Sequence, residues 1–300
     1  MEQCARIGNK GLEKREQYMI KKYIGKYFPI FLLPTVIAFC IAFVAPFIIG
    51  LFLSFCKFTT VTNATFVGLD NYIKVFTQNT DFLSALWFTV KFTVVAVISV
   101  NVFAFLLALI LTRPMKGTNA FRTGFFMPNL IGGIVLGYIW QIIINGFLGY
   151  IGVDITYAAK YGFWGLVILM NWQLIGYMMV VYIAGLQNIP GELLDAAKVD
   201  GAGSFQVLKN VTLPLVMPSV TICMFLTITN SFKLFDQNLA LTAGAPSKKT
   251  AMLALDIYNT FYGKTGWEGV GQAKAVIFLL LVSVIAFMQL AMTRKKEVEQ

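Results

Sequence analysis

The chain has 300 residues, 58% of them hydrophobic and 13% charged, with a mean hydropathy of +0.73. That balance excludes an ordinary water-soluble domain and puts the chain in a bilayer. The net charge of +10 would suit nucleic acid, but basic residues at the ends of membrane spans account for it without such a partner.

Enzymatic chemistry has little to work with. There is no His, which removes the usual general base and the commonest metal ligand. Cys4, Cys40, Cys56 and Cys223 lack metal or disulfide spacing and read as small hydrophobes.

In chain order, residues 1–27 form a polar, basic arm carrying Arg6, Lys10, Lys14, Arg15, Lys21, Lys22 and Lys26. It resembles the start of a signal peptide, but the apolar run that follows, 28–55, is too long for one. It reads as a first span, with Pro34 and Pro46 as tolerated kinks. Further spans are expected near 87–111, 125–147, 163–186, 215–234 and 270–292. Each approaches or exceeds the ~20 residues that cross a bilayer core. Phe66-Val67-Gly68-Leu69-Asp70-Asn71-Tyr72 reads as a surface helix beginning near Asp70. The expected fold class is an all-α integral membrane protein with six transmembrane helices over residues 28–293 and a tail at 294–300.

With six spans both termini share a side, and so do the second and fourth loops. That side holds fifteen Lys and Arg, including Arg113, Lys116, Arg122, Lys198 and Lys209, against seven on the other. The excess predicts cytoplasmic termini.

The most polar helix-patterned segment between spans is 190–214. Pro190 can open a helix at its first position, and Glu192 and Asp195 favour its N-terminal end. A helix is expected over 191–199, followed by a break at Gly201. A second short helix carrying Phe205 and Leu208 follows, capped by Asp200 or Ser204. Ala196, Ala197 and Ala202 permit close approach of another surface, while Leu193, Leu194 and Phe205 could pack into it. Composition alone leaves open an amphipathic loop lying on the membrane.

The run Asp195-Ala196-Ala197, Asp200-Gly201-Ala202, Val211 and Leu213-Pro214 resembles the cytoplasmic signature loop of permease subunits of binding-protein-dependent ABC importers. Asp195 replaces the family's usual Glu, which keeps the charge and shortens its reach. Phe121-Arg122-Thr123, Phe125-Phe126-Met127-Pro128, Trp140, Asn171-Trp172-Gln173, Ser231-Phe232-Lys233 and Gly271-Gln272-Ala273 resemble the sugar-uptake branch, in its order. So does Leu241-Thr242-Ala243-Gly244-Ala245-Pro246, although that branch has a more glycine-rich Leu-Thr-Gly-Gly-Gly-Pro. The resemblance runs from about Phe66 to the C-terminus, and the N-terminal arm carries none of it.

The resemblance implies a type I importer permease core with a cytoplasmic coupling helix, in a bacterial-type cell membrane. It implies alternating access, a second permease subunit that is usually a different chain, two ATPase subunits and an extracytoplasmic solute-binding protein. The solute it implies is a sugar, an oligosaccharide or related carbohydrate, although oligosaccharide, monosaccharide and glycerol phosphate importers share these motifs. No cofactor is expected in this chain, because ATP and Mg belong to the partner ATPase. Gly263-Lys264-Thr265 has the tail of a phosphate-binding loop, but Tyr258 stands where its first Gly belongs. The Leu213-Pro214 junction is expected to run straight into the fifth span and stiffen the coupling element.

Polar residues inside the spans are mostly neutral. Asn101 and Asn145 read as helix-to-helix hydrogen bonders. Gln173 and Tyr177, four apart, share one face, and Thr227, Asn230 and Ser231 are expected to share another. Such groups suit an uncharged polyhydroxylated solute, and they are the candidate solute path. No carboxylate is expected near the middle of a span, which argues against proton coupling. The main competing reading is a nucleotide-independent carrier or channel, which needs an ion-coupling residue or inverted repeats; neither is evident. A membrane enzyme and a scaffold subunit are further alternatives.

Overall fold

The computed structural model describes residue 30 and residues 32–78, 80–113 and 115–294. The basic arm 1–27, the first residues of the first predicted span and tail residues 295–300 lie outside the described residues. The chain divides into two compact units, 1–53 and 54–300.

The first unit contributes α1, Leu32–Leu53, whose side chains are apolar and exposed almost throughout. It continues through both prolines. Proline 46 lacks an N–H for the carbonyl one turn back, and a π-turn over Cys40–Val44 lies directly before the α-helical run Ala45–Leu53.

The second unit opens with a two-stranded antiparallel ribbon, β1 (Cys56–Lys57) against β2 (Thr65–Phe66), with Cys56 opposite Phe66. Helix α2, Asp70–Thr77, starts where the sequence predicts. Its buried Asn71 donates to the carbonyls of Ser54 and Cys56 at 2.9 and 2.8 Å, tying the ribbon to the helix.

Three helices form the centre: α3 (Thr80–Leu111), α6 (Ala159–Gln187) and α9 (Met217–Phe232), each packed on the other two. Along α3, Phe92, Ala96, Val100, Ala104 and Ala108 recur every fourth residue and are fully buried. Small side chains at that spacing let the backbone of α6 come close, and close packing is what joins helices where lipid is as apolar as they are. Apolar side chains on the outside, such as Ile98, Phe103 and Ile110, are about half exposed. In water that surface would be a large apolar patch; against lipid it costs nothing.

Among the described residues four helices are long and apolar enough to cross a membrane, α1, α3, α6 and α12 (Glu268–Arg294), and two bent pairs bring the total to six when each pair is counted as one span. The first bend corrects the expectation of an uninterrupted third span at 125–147; the second falls at the start of the fifth, expected at 215–234. The third runs as α4 (Thr118–Phe126), a 3-10 turn at Met127–Leu130 and α5 (Gly133–Gly149), with 102° between the two parts. Proline 128 withholds a donor in the turn, and Gly132 is extended at φ −60°, ψ 140°. The fifth pairs Ser204–Leu215 with α9 at 70°. Leu213-Pro214 therefore does not run straight into the span, because Pro218 cannot continue the hydrogen-bond ladder across Val216.

Between the fifth and sixth spans, the predicted loop is folded structure. Helix α10 (Asp236–Leu241) packs on α5, with Ala240 against Gly137, and α11 (Leu253–Gly263) packs on α12. Asn238 is fully buried and holds the intervening turn. It donates to Thr250 O at 2.8 Å and Thr242 Oγ1 at 3.1 Å, and accepts from the Met252 N–H at 2.9 Å. Ala243 in that turn has φ +49°, a conformation that favours the glycine found there in the branch it resembles.

Candidate functional site

The candidate coupling element begins as a helix where the sequence predicts one. Helix α7 spans Gly191–Val199, with Glu192 in the first turn and Lys198 in the last, where the helix dipole favours each charge. Pro190 sits one position earlier than expected, as N-cap rather than first helical residue. Lys198 and Asp195 pair at 2.9 Å, both exposed, so the pair adds little stability.

The end of α7 explains the Asp-Gly-Ala triplet physically. The Gly201 N–H donates to Lys198 O and the Ala202 N–H to Ala197 O, both at 3.0 Å. Asp200 is the C-cap and Gly201 has φ +76°. This is a Schellman termination, which needs a left-handed residue just past the cap and takes glycine there. A Cβ on Gly201 would meet no neighbour, so the requirement is conformational and not one of space.

The chain then reverses. Gly203, and neither Asp200 nor Ser204, is the N-cap of the next helix, and its N–H donates to Gln206 Oε1 at 2.8 Å. That helix, α8 (Ser204–Leu215), opens with an α-helical turn, passes through a π-turn at Leu208–Thr212 and ends in one short turn at Leu213–Leu215. Pro214 falls within the last turn, and Leu213 is exposed.

Side chains on the element mostly point outward. Val199 is 87% exposed and Phe205 73%, and Leu193, Asp195, Ala196 and Asp200 are exposed as well. Ala197 and Ala202 are half-buried. Leu194, expected on the docking face, instead packs against the central core. Val199 is a surface residue that the sequence reading does not single out. Its signal is there all the same: a β-branched apolar residue in the last turn, directly before the break.

The candidate solute-path residues do not form one polar surface. Gln173 is buried; its Oε1 accepts from Gln237 Nε2 at 2.8 Å, and its Nε2 faces Ile131 O at 3.5 Å. It therefore ties α10 and the break before α5 to α6. Tyr177, one turn on, is half-buried with its ring 6.3 Å from that of Phe126. Between these two, Gly176 lies so close to the carbonyl of Phe125 that a Cβ would overlap it.

On α9, Thr227 and Ser231 share a buried face as expected, but Asn230 is exposed on another and donates to its own helix at Leu226 O. One residue's step on a helix turns the side chain by about 100°, which separates Asn230 from Ser231. Thr227 belongs to a three-helix network. The Tyr182 hydroxyl donates to Asn101 Oδ1 at 2.8 Å, Asn101 Nδ2 donates to Thr227 Oγ1 at 3.3 Å, and Thr227 donates to Cys223 O at 2.7 Å. Asn101 is thus a helix-to-helix bonder, as predicted. Asn145 instead accepts from the Ile155 N–H at 2.8 Å and fastens a loop.

One feature of the interior escapes sequence reasoning. Lys274 is fully buried in α12 and donates to Asp256 Oδ2 at 2.6 Å and Thr260 Oγ1 at 2.7 Å, both on α11; the Asp256 side chain is 5% exposed. Lys274 reads as a residue near a span end and Asp256 as part of a loop. Nothing local in the sequence joins residues eighteen positions apart. Gly263-Lys264-Thr265 ends α11, and Lys264 sits 4.7 Å over the Trp267 ring.

Comparison with known proteins gives the arrangement its context. Residues 117–298 match the family described as the binding-protein-dependent transport system inner membrane component. The chain is 42% identical over 284 residues to a probable starch degradation products transport system permease protein, AmyD, of Thermoanaerobacterium thermosulfurigenes, covering 92% of this chain and 96% of that one. It is 29% identical to the multiple sugar-binding transport system permease protein MsmF of Streptococcus mutans, over 93% and 99% of the two chains. Its fold is similar to a chain of a bacterial ABC transporter involved in the import of the acidic polysaccharide alginate, with a TM-score of 0.77 at 22% identity, covering 92% and 99%. The chain is a transport component and belongs to the family of inner membrane components of binding-protein-dependent transport systems.

Proposed function

We propose that this chain is one of two permease subunits of an ATP-driven importer, and that it carries a sugar handed over by an extracytoplasmic binding protein. Relatives named for starch degradation products and for multiple sugars match it over nearly their whole length, which supports a carbohydrate solute. ATP hydrolysis occurs in two partner subunits, with ATP and Mg bound there. The excess of Lys and Arg supports a cytoplasmic side for the α7–α8 element and both termini.

The observation that carries the reading is α7 itself, a capped helix whose apolar Val199 and nearby Phe205 stand in the open. Asp195, Ala196, Ala197, Asp200, Gly201 and Ala202 shape this knob, and Leu213 and Pro214 join it to the membrane helices. An ATPase cleft that closes on α7 moves the core through α8. The 70° turn at Val216 makes that junction a lever arm between surface and span.

Among the solute-path candidates, Asn230 and half-buried Tyr177 offer surface to a sugar. Gln173, Thr227 and Ser231 set the shape behind them. The test is co-purification. The chain, expressed with its genomic neighbours and solubilised in mild detergent, retains an ATPase subunit, and Gly201→Trp releases it. If no ATPase binds the unsubstituted chain under any condition, the importer reading fails. Alanine at Tyr177 and Asn230 should impair uptake; unchanged uptake would remove both from the path.

A further inference from the structure

Just past the end of α3 the chain carries Arg113 and Lys116, and α4 adds Arg122. No Asp or Glu occurs between Asp81 and Asp154, and no ion pair among the described residues includes any of the three cations. They line one open cavity of about 550 Å³, together with Thr112, Thr118 and Asn119. Arg122 is the most enclosed of them. Its Nη2 donates to Leu111 O at 2.7 Å, while its Nε is buried with no partner among the described residues. A guanidinium with a free buried donor, flanked by two more cations, lacks an anion.

The same helix lines a second hollow. Phe121, Gly124 and Phe125 of α4 enclose, with Phe103 of α3 and Trp172 of α6, a groove of about 490 Å³ that is apolar except at Asn171. Its walls are open to the outside, with Phe103 53% and Phe121 57% exposed. Thr118 and Arg122 of the cavity each stand three residues before a ring of the groove, Phe121 and Phe125, a spacing that makes side chains neighbours on a helix, so the basic cavity borders the apolar groove along α4.

We propose that the two hollows form one binding site for an anionic phospholipid, its phosphate held by Arg113, Lys116 and Arg122 and one acyl chain laid along the groove. A free phosphate would use the cations and leave the groove empty. A helix of another subunit would fill the groove and leave the cations unpaired. An amphiphile with an anionic head uses both, and basic pockets at the ends of membrane helices are where such heads bind. On the cytoplasmic orientation proposed above, the site faces the leaflet whose anionic lipids give it a negative surface.

The full-length chain in detergent is offered phosphatidylglycerol and phosphatidylcholine of identical acyl chains in equal amounts, and the retained lipid is read by native mass spectrometry. The expected result is a preference for phosphatidylglycerol that R113Q/K116Q lowers by ~10-fold or more. High salt should weaken that preference in the unsubstituted chain, a readout free of any folding defect. Neither Arg113 nor Lys116 has a side-chain hydrogen bond or ion pair among the described residues, so the double variant should melt as the parent does.

Gly124→Leu puts an apolar side chain into the groove from a position where a Cβ meets nothing within 4 Å, and should lower retention of both lipids. Equal retention of the two lipids by the unsubstituted chain overturns the proposal. Displacement of phosphatidylglycerol by inorganic phosphate, with G124L without effect, reassigns the cations to a free anion. Loss of a co-purifying membrane subunit in G124L, with lipid retention unchanged, gives the groove to a protein helix.

Discussion

The α7–α8 element and the α10–α11 segment are both polar-rich stretches between spans, and they are built in opposite ways. The first is held by its own neighbours in sequence: the Schellman bonds from Gly201 and Ala202 reach back three and five residues, and Gln206 caps Gly203. Its side chains are left in the open. The second is held from afar, by Asn238 closing a turn of fourteen residues and by Lys274 reaching eighteen residues back to Asp256. Its polar groups Asn238, Thr242, Thr250, Asp256 and Thr260 are consumed inside the fold. An element that engages another surface, as proposed for α7–α8, needs a rigid backbone and free side chains, whereas one that frames the core needs its side chains committed.

Substitutions that separate stability from transport sharpen this contrast. The largest effect is expected at the buried pair. Asp256→Ala leaves Lys274 as an uncompensated buried charge and should cost about 3–5 kcal/mol, read as a large fall in melting temperature in detergent. Replacing both partners by apolar residues, D256L/K274M, should recover most of that loss. A double variant as unstable as the single one would mean that the pair itself holds α11 to α12.

Next comes Asn238→Ala, which strands the Met252 N–H and the Thr250 carbonyl in the interior. A loss of roughly 2–3 kcal/mol is expected, together with easier proteolysis within 242–252. A cost under about 0.5 kcal/mol would show that the turn closes without it.

In the exposed element the same kind of change should cost less stability than either. Gly201→Ala keeps the space and adds only the left-handed strain, about 1 kcal/mol. Val199→Asp should leave the melting temperature unchanged and still reduce uptake and ATPase retention, because it alters only an 87% exposed surface. If V199D transports normally, the apolar tip of α7 plays no part in docking.

Several elements are legible in the sequence alone. Gly191–Val199 is readable to the residue, because a helix bounded by Pro190 and Gly201 is fixed by backbone preferences that act over a few positions. The start of α2 at Asp70 and the bonding role of Asn101 are readable for similar reasons. Other outcomes are not. Hydropathy counts apolar residues and is blind to direction, so the 102° bend inside 125–147 looks like a continuous span. Helical spacing correctly pairs Thr227 with Ser231, but cannot say which face of α9 turns inward. Gln173 looks free for a solute because its partner, Gln237, is sixty-four residues away.

By itself the sequence determined that this chain lives in a membrane, how many apolar runs it has, and where the exposed helical knob begins and ends. Those properties follow from transfer energies and from local backbone chemistry, which need no knowledge of the rest of the chain. Only the tertiary structure decided that the third span breaks, that α8 meets the fifth span at 70°, that the segment before the last span folds back into the core, and that Lys274 is buried on Asp256. Burial and pairing depend on which distant segment arrives alongside, and that is a property of the packed helices.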